Sequence, residues 1–220
     1  MNNGMWRDED FVHHYNELYC DGTQDNTVCL RHLALSKKDV FIDFGCGRGD
    51  CLSVAASLVR HATGIDNSHH QIEIARSKIG HHKNVSLIEG DFLGIRLEHA
   101  GYTKACARKA LHHLNDTEKS SFFESVSEFF LTGSLFIVED GIFSFDRDEL
   151  PAKWNDVENE AMVYYGERWS AINDDFKYYS FYEFPTGITA WIHALAQGGF
   201  VPIDIKHFTS FYGYILARKG

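Results

Sequence analysis

A glycine-rich loop that follows a short apolar run constrains the fold of this chain more than any other feature. Residues 40–44 read Val-Phe-Ile-Asp-Phe, and glycines then stand at positions 45, 47 and 49. An apolar run without polar alternation is typical of a strand buried on both faces of a parallel sheet. Glycine lets the backbone turn sharply and lets a ligand approach closely. The segment therefore predicts a strand, a ligand-binding loop and the start of a helix.

The same strand-and-helix unit recurs along the next hundred residues. The predicted strands span residues 40–44, 62–65, 85–88, 102–107 and 135–138. The predicted helices span residues 51–60 and 68–79, the latter with Ser68 as N-cap. A third helix begins at Asp116 or Thr117, carries Phe129 and Phe130 on its apolar face, and is closed by Gly133. Strands that alternate with helices predict a parallel sheet covered on both faces.

Both ends of the chain depart from this pattern. Residues 1–39 read as a helical lid, with Phe11, Tyr15 and Leu18 on one face. An aromatic-rich helical cover is predicted over about 143–190, because residues 154–191 hold eleven aromatic side chains.

The last part of the chain predicts a helix and a hairpin. Pro185 is expected to open the helix, which ends at Gly198 and Gly199. Strands over 201–205 and 211–217 follow, and their link is too short for a crossover helix, so they form an antiparallel hairpin. We therefore expect one α/β domain over residues 1–220. It is a three-layer sandwich with a Rossmann-like, seven-stranded, mostly parallel sheet and an antiparallel final strand.

Composition narrows the choice of partners. The net charge is −10 and no basic stripe is visible, which argues against DNA, long RNA and anionic membranes and favours a small neutral or cationic substrate. No apolar run is long enough to span a bilayer and residues 1–10 do not resemble a secretory signal, so a cytoplasmic location is expected. Five cysteines in no zinc spacing and thirteen histidines without an H-x-x-x-H pair predict free thiols and no metal site. The oligomeric state stays open.

The loop does not fit the common phosphate-binding fingerprints. In G-x-G-x-x-G counted from Gly45, the last glycine falls on Asp50, whose carboxylate would repel a pyrophosphate. The loop itself holds no lysine followed by serine or threonine, so it is not a P-loop. Asp43, two residues before the first glycine, suits a cationic ligand group such as an ammonium, directly or through water.

Two further acidic residues stand at predicted strand ends. Asp66 follows Gly45 by 21 residues and can accept two hydrogen bonds from a ribose diol. Asp91 follows the third strand and can accept from an adenine amino group, with Phe92 against the ring. Together these residues predict an adenosyl-binding edge.

The segments VFIDFGCGRGD, TGIDNS, VSLIEGDF and ALHHL occur in this order over roughly residues 40–140. This arrangement resembles the class I S-adenosylmethionine-dependent methyltransferases, most closely the small-molecule branch that includes the quinone-biosynthesis methyltransferases. The resemblance implies methyl transfer from S-adenosyl-L-methionine to an O, N, C or S atom, with S-adenosyl-L-homocysteine as product. It also implies a set of cofactor-binding residues. These are Asp43, Gly45, Cys46, Gly47, Gly49 and Arg108 at the methionine part, Asp66 at the ribose, and Asn67, Asp91 and Phe92 at the adenine.

The sequence marks the residues that would bind the methyl acceptor less clearly than those that would bind the cofactor. His112 or His113 is the candidate general base, since the corresponding loop lies near the transferred methyl in that family. Tyr15 and Tyr19 are candidates to close over the cofactor. The candidates to line an acceptor pocket, by cation–π attraction or apolar contact, are Tyr164, Tyr165, Trp169, Tyr178, Tyr179 and Tyr182. For all of these aromatic residues, ordinary core packing is the alternative.

Two other functions stay open at this point. The first is a non-catalytic protein that binds adenosylmethionine or interacts with a partner. The second is a nicotinamide-dependent oxidoreductase, against which Asp50 argues.

Overall fold

The apolar runs of the sequence form a seven-stranded sheet with helices on both faces. The computed structural model describes residues 5–19, 27–95, 97 and 101–220. The strands of this sheet are β1 Val40–Phe44, β2 His61–Asp66, β3 Val85–Glu89, β4 Tyr102–Arg108, β5 Phe130–Asp140, β8 Phe200–His207 and β9 Gly213–Lys219. A separate short ladder pairs β6 Ile142–Phe143 with β7 Thr186–Gly187.

The strand order is β3-β2-β1-β4-β5-β9-β8. Strands β1 to β5 pair in parallel, whereas β9 runs antiparallel to both β5 and β8. This confirms the predicted Rossmann-like sheet and its antiparallel final strand. The strand order runs from β1 to β2 and β3 on one side, and continues with β4 and β5 on the other side of β1. The carboxyl ends of β1, β2 and β4 therefore meet at the switch point, where sheets of this kind bind ligands.

Helices cover each face of the sheet. They are α1 Glu9–Tyr19, α2 Asp50–Leu58, α3 His69–Ile79, α4 Asp116–Val126, α5 Leu150–Tyr165, α6 Trp169–Tyr182 and α7 Ile188–Gln197. Helices α2 and α3 pack on one face together with a 3-10 segment, Val28–Leu33, while α4 and α7 pack on the other. Within the described ranges, no helix has the length and apolar character needed to cross a bilayer.

The strands divide their side chains between two cores. On β1, Ile42 and Phe44 face α4, and the Phe44 ring stacks on Phe136 at 5.7 Å between centroids. Phe41 and Asp43 face the α2 side, because successive side chains of a strand point to opposite faces. Asp43 is thereby carried into the interior, where it is only 2% exposed.

The junction before β5 differs from the sequence-based prediction. Helix α4 begins at Asp116 as predicted, with Asn115 as N-cap, but it ends at Val126 and a short 3-10 turn follows. Phe129 lies in that turn and Phe130 already belongs to β5. Gly133 therefore does not close a helix. It adopts a left-handed φ of +85° inside β5, near a register shift between β4 and β5, where glycine tolerates the irregular backbone.

The prediction for Pro185 is also wrong. Pro185 precedes β7, and α7 begins three residues later at Ile188. The Pro185 carbonyl accepts a hydrogen bond from Arg147, so the residue belongs to a connection held by that side chain. The proline near a helix start is Pro151, in the first turn of α5.

Candidate functional site

The glycine-rich loop is fixed by backbone hydrogen bonds to the end of β2. The amides of Gly45 and Cys46 both donate to the carbonyl of Ile65, at 2.8 and 2.9 Å. The Gly47 amide donates to Asp66 Oδ2 at 2.8 Å. The loop and the strand-end carboxylate therefore form one unit, which brings the first two predicted motifs together.

The three glycines of the loop have different structural roles. All three have left-handed φ angles, of +76°, +49° and +80° for Gly45, Gly47 and Gly49. A Cβ on Gly45 would lie 2.4 Å from the Cβ of Ala110, so the backbone there passes too close for any side chain. A Cβ on Gly47 would meet no atom within 4 Å, which leaves this position open towards a ligand.

Asp66 is held in a defined orientation. Its Oδ2 accepts from Gly47 N and its Oδ1 accepts from Ser68 N at 2.9 Å. Burial raises the pKa of this carboxyl, while the backbone hydrogen bonds act in the opposite direction. Each oxygen has a further lone pair, so the carboxylate can still accept from a pair of ligand hydroxyls.

Asp43 lies deeper in the same site. Burial raises the pKa of its carboxyl well above the ordinary value, and the negative charges of Cys29 and Asp66 add to this effect. Arg108 acts in the opposite direction. Additional positive charge bound beside Asp43 would favour the ionised carboxylate.

These residues line one cavity at the carboxyl edge of the sheet. The predicted cofactor-binding residues on its wall are Tyr15, Asp43, Gly45, Cys46, Gly47, Asp66, Asn67, Asp91, Phe92 and Arg108. Gly49 is not on the wall and instead is the N-cap of α2.

Sequence reasoning missed two amide side chains in this cavity, Asn16 on α1 and Gln71 on α3. Their side chains are joined by hydrogen bonds of 3.2 and 3.4 Å. The two residues are 55 positions apart, and nothing in the local sequence of either predicts the contact.

A second cavity of about 330 Å³ adjoins the first. Trp6, Tyr15, Lys109 and His113 line both cavities and form their common border. We call the first the loop cavity and the second the aromatic cavity. The size of the aromatic cavity suits a small molecule.

Three of the six predicted aromatic residues line this cavity. Tyr165, Tyr178 and Tyr179 line the aromatic cavity. Tyr164, Trp169 and Tyr182 do not. Tyr164 packs edge-on against Phe211 at 5.9 Å, Trp169 packs against Phe176 at 5.8 Å, and Tyr182 is 72% exposed.

Helix α1 crosses the mouths of both cavities. Tyr15 contacts both, whereas Tyr19 lines only the aromatic cavity and not the loop cavity over which it was predicted to close. The Tyr19 hydroxyl donates to Asp175 Oδ2 of α6 at 3.3 Å, which links α1 to α6.

His112 lines the aromatic cavity, and a hydrogen bond to Asp140 fixes its ring. Its Nδ1 lies 2.6 Å from Asp140 Oδ1, and the other oxygen, Oδ2, accepts the amides of Ala110, Leu111 and His112. A carboxylate with this many donors is fixed as an acceptor, so His112 Nδ1 carries the proton and Nε2 is the basic nitrogen. Nε2 points towards Glu183 Oε2 at 3.4 Å.

The charges around His112 favour its protonated form. Burial acts to lower the pKa of His112, but the carboxylates of Asp140 and Glu183 outweigh it and raise the pKa. Burial also opposes ionisation of Asp140, yet the histidine and the backbone donors lower the pKa of this carboxyl to about 2. His113 lies beside the pair, with Nδ1 3.5 Å from Glu183 Oε1.

Asp140 and Glu183 were not among the predicted site residues. Asp140 ends β5, so the signal that identified Asp66, an acidic residue at the carboxyl end of a parallel strand, applies to it equally. Glu183 follows the end of α6, and no local pattern marks it.

Comparison with known proteins gives consistent matches. A family model described as "Methyltransferase domain" matches residues 35–186. An uncharacterized methyltransferase of Anoxybacillus flavithermus is 26% identical over 152 residues, which cover 69% of this chain and 70% of that protein.

Solved structures share the fold. The geranyl diphosphate C-methyltransferase of Streptomyces coelicolor, solved with Mg²⁺, geranyl diphosphate and S-adenosyl-L-homocysteine, aligns with a TM-score of 0.63 and 16% identity over 87% of this chain and 75% of its own. The pyocyanin biosynthetic protein PhzM aligns with a TM-score of 0.70 and 14% identity over 98% of this chain and 60% of its own. At these identities the likeness extends to the fold alone.

Proposed function

The chain belongs to the methyltransferase-domain family, and from this premise we propose that it transfers the methyl group of S-adenosyl-L-methionine to a small molecule held in the aromatic cavity. The observation that carries the proposal is the common border of the two cavities. One cavity has the strand-end acidic residues expected to hold an adenosyl group, and the other has a histidine–aspartate pair.

The loop cavity fits the cofactor in its chemistry. Asp66 would accept the ribose hydroxyls, Asp91 and Phe92 would hold the adenine beside Asn67, and Asp43 would lie on the methionine side with Arg108. The open position at Gly47 leaves the backbone free to approach the ligand. When bound, S-adenosyl-L-methionine supplies a methyl group that is already activated on a sulfonium. The protein therefore contributes mainly position, for which about 7–11 kcal/mol is available.

The aromatic cavity favours an acceptor with an apolar or aromatic body and one nucleophilic atom. The rings of Tyr165, Tyr179 and Phe176 supply apolar contact. His112 Nε2 accepts the proton of the acceptor. When bound, S-adenosyl-L-methionine would supply the methyl group to that acceptor atom and would leave as S-adenosyl-L-homocysteine. Helix α1 is the lid of this site, and α5 with α6 forms its cover.

An activity assay tests the proposal and separates it from a non-catalytic role. The protein is incubated with S-adenosyl-L-methionine and a panel of phenols, thiols, amines and carbon acids, and S-adenosyl-L-homocysteine is quantified. We expect turnover with a phenolic acceptor, whose hydroxyl loses its proton to the base. Binding of the cofactor without turnover across the panel would favour the non-catalytic alternative. The family match favours methyl transfer over the nicotinamide-dependent alternative, which saturable quenching of NADH fluorescence would revive.

A further inference from the structure

Three cysteine side chains converge beneath the loop cavity. They come from three separate elements: Cys29 from the 3-10 segment Val28–Leu33, Cys51 from the first turn of α2, and Cys106 from the middle of β4. Their sulfur atoms all lie within 4.8 Å of one another, and the Cys29 and Cys106 sulfurs are 3.5 Å apart. The three residues are buried, with exposed fractions of 1%, 6% and 0% in the same order.

We propose that Cys29, Cys51 and Cys106 form a binding site for one thiophilic divalent metal ion of the Zn²⁺ type. Three sulfur ligands from three elements would connect the 3-10 segment, α2 and β4 at the base of the loop cavity. The spacing of the cysteines along the chain predicts no such site, because no two of the ligands share an element.

The geometry is close to what such an ion requires. Zn–S bonds of about 2.3 Å in a tetrahedral arrangement place the sulfurs about 3.8 Å apart. The 3.5 Å pair is already near this value, and the remaining separations, at most 4.8 Å, need a contraction of no more than about 1 Å. Side-chain rotations within the buried cluster can supply a change of this size.

The surroundings suit the charge of a thiolate site. Binding needs all three sulfurs as thiolates, so the protons that they carry are released to solvent, and the three thiolates with one divalent ion have a net charge of −1. Arg108 follows Cys106 by two residues on β4, so the two side chains lie on the same face of the sheet. Its guanidinium is already paired with Glu139 at 3.0 Å, so it is held in place beside the cluster.

The loop cavity supplies a route of entry and a fourth coordination position. Cys51 and Asp43 both line that cavity, so solvent and ions reach the edge of the cluster. Asp43 is also the register partner of Cys106 across β1 and β4. A water or the Asp43 carboxylate would complete a four-coordinate ion.

A cadmium titration of metal-free protein tests this site through a signal that does not depend on catalysis. The ultraviolet thiolate-to-cadmium charge-transfer band is followed as Cd²⁺ is added to three proteins: the wild type, Cys29→Ser, and the double variant Cys20→Ser/Cys46→Ser. The double variant is the matched control, because it removes two thiols and keeps the three of the cluster.

We expect one Cd²⁺ per chain in the wild type and in the double variant, with equal band intensity. Affinity should fall at least tenfold in Cys29→Ser. Absence of the band in the wild type, or a band that survives in Cys29→Ser and disappears in the double variant, would overturn the proposal. If Cys29→Ser does not fold, Cys51→Ser takes its place. X-ray absorption at the cadmium edge of the wild type must count three sulfur ligands, and two or fewer would also overturn it.

Discussion

At the scale of single residues, the site depends on carboxylates whose hydrogen bonds leave them little freedom. Asp66 accepts hydrogen bonds from two backbone amides. Asp140 accepts three backbone amides on Oδ2, and it accepts the Gly141 amide and His112 Nδ1 on Oδ1. Such carboxylates act as fixed acceptors, which orients the groups bound to them. For His112 the consequence is a defined tautomer with Nε2 towards the aromatic cavity.

Substitution of His112 tests its role as the base. In His112→Asn the side-chain amide can still donate to Asp140, but no basic nitrogen remains. We expect kcat for a phenolic acceptor to fall by about 10²–10⁴-fold. Affinity for S-adenosyl-L-homocysteine should stay unchanged, since His112 is not on the wall of the loop cavity. His193→Gln, an exposed histidine on α7, is the control, and equal losses in both variants would contradict the assignment.

The pH dependence follows from the direction of the His112 shift. A raised pKa keeps the imidazole protonated, and therefore inactive as a base, to a higher pH than in a free histidine. Plots of kcat/KM should rise with pH through an inflection above about 6.5 and then level off.

The neighbouring charges determine where that inflection falls. Asp140 and Glu183 raise the pKa of His112, and Lys119 lowers it. In Glu183→Gln the inflection should move to lower pH, measured with the same acceptor. An inflection that stays in place would show that another group controls the profile.

Much of the loop cavity was predictable because its residues follow strand ends within short segments. Asp43, Asp66 and Asp91 each come directly from the end of a β1–β3 pattern, and parallel strands bring their carboxyl ends to one edge. The pairing of His112 with Asp140 was not predictable in this way. The two residues are 28 positions apart, and only the order of β4 and β5 in the sheet brings them together.

At the scale of elements, a buried lysine links α4 to the connection after α6. Lys119 is fully buried, and its Nζ donates to the carbonyls of Leu114 at 2.5 Å and Phe184 at 2.6 Å. Its ammonium also lies 5.1 Å from the centroid of the Trp191 ring on α7. Burial lowers the pKa of Lys119 to about 8, although Asp116 and Asp140 oppose this.

This shift makes the contribution of Lys119 to stability depend on pH. Between about pH 8 and the unfolded value of about 10.4, the unfolded chain binds more protons at this residue than the folded protein does. The free energy of unfolding of the wild type, relative to Lys119→Met, should therefore rise with pH across this window, by up to about 1.4 kcal/mol per unit of pKa shift. Urea unfolding of both proteins at pH 7.5 and pH 10 measures it. A constant or falling difference would contradict the assignment.

The wrong predictions concern proline and glycine, because each of these residues is common in more than one kind of local structure. Proline is common in the first turn of a helix, but Pro185 stands in a connection that Arg147 holds from another part of the chain. Glycine commonly ends helices, but Gly133 lies at an irregular position inside β5. The faces of α5 and α6 were likewise undetermined, because tertiary packing decides which tyrosines meet the cavity.

At the scale of the whole molecule, the sheet order places the two cavities side by side. The ends of β1 and β2 form the loop cavity. The ends of β4 and β5 place His112 and Asp140 at the adjoining aromatic cavity. The net charge of −10 agrees with a ligand that carries a sulfonium and an ammonium. The common border at Lys109 and His113 is where donor and acceptor would meet.

Isothermal calorimetry with S-adenosyl-L-methionine tests the central claim most directly. The wild type should bind one molecule per chain. In Asp66→Ala the affinity should fall by about 10–100-fold, because charged hydrogen bonds of about 1.5–3 kcal/mol to the ribose are lost. Asp156→Ala, which removes an exposed carboxylate on α5, should bind as the wild type does. Absence of binding to the wild type, or equal affinity in Asp66→Ala, would contradict the account.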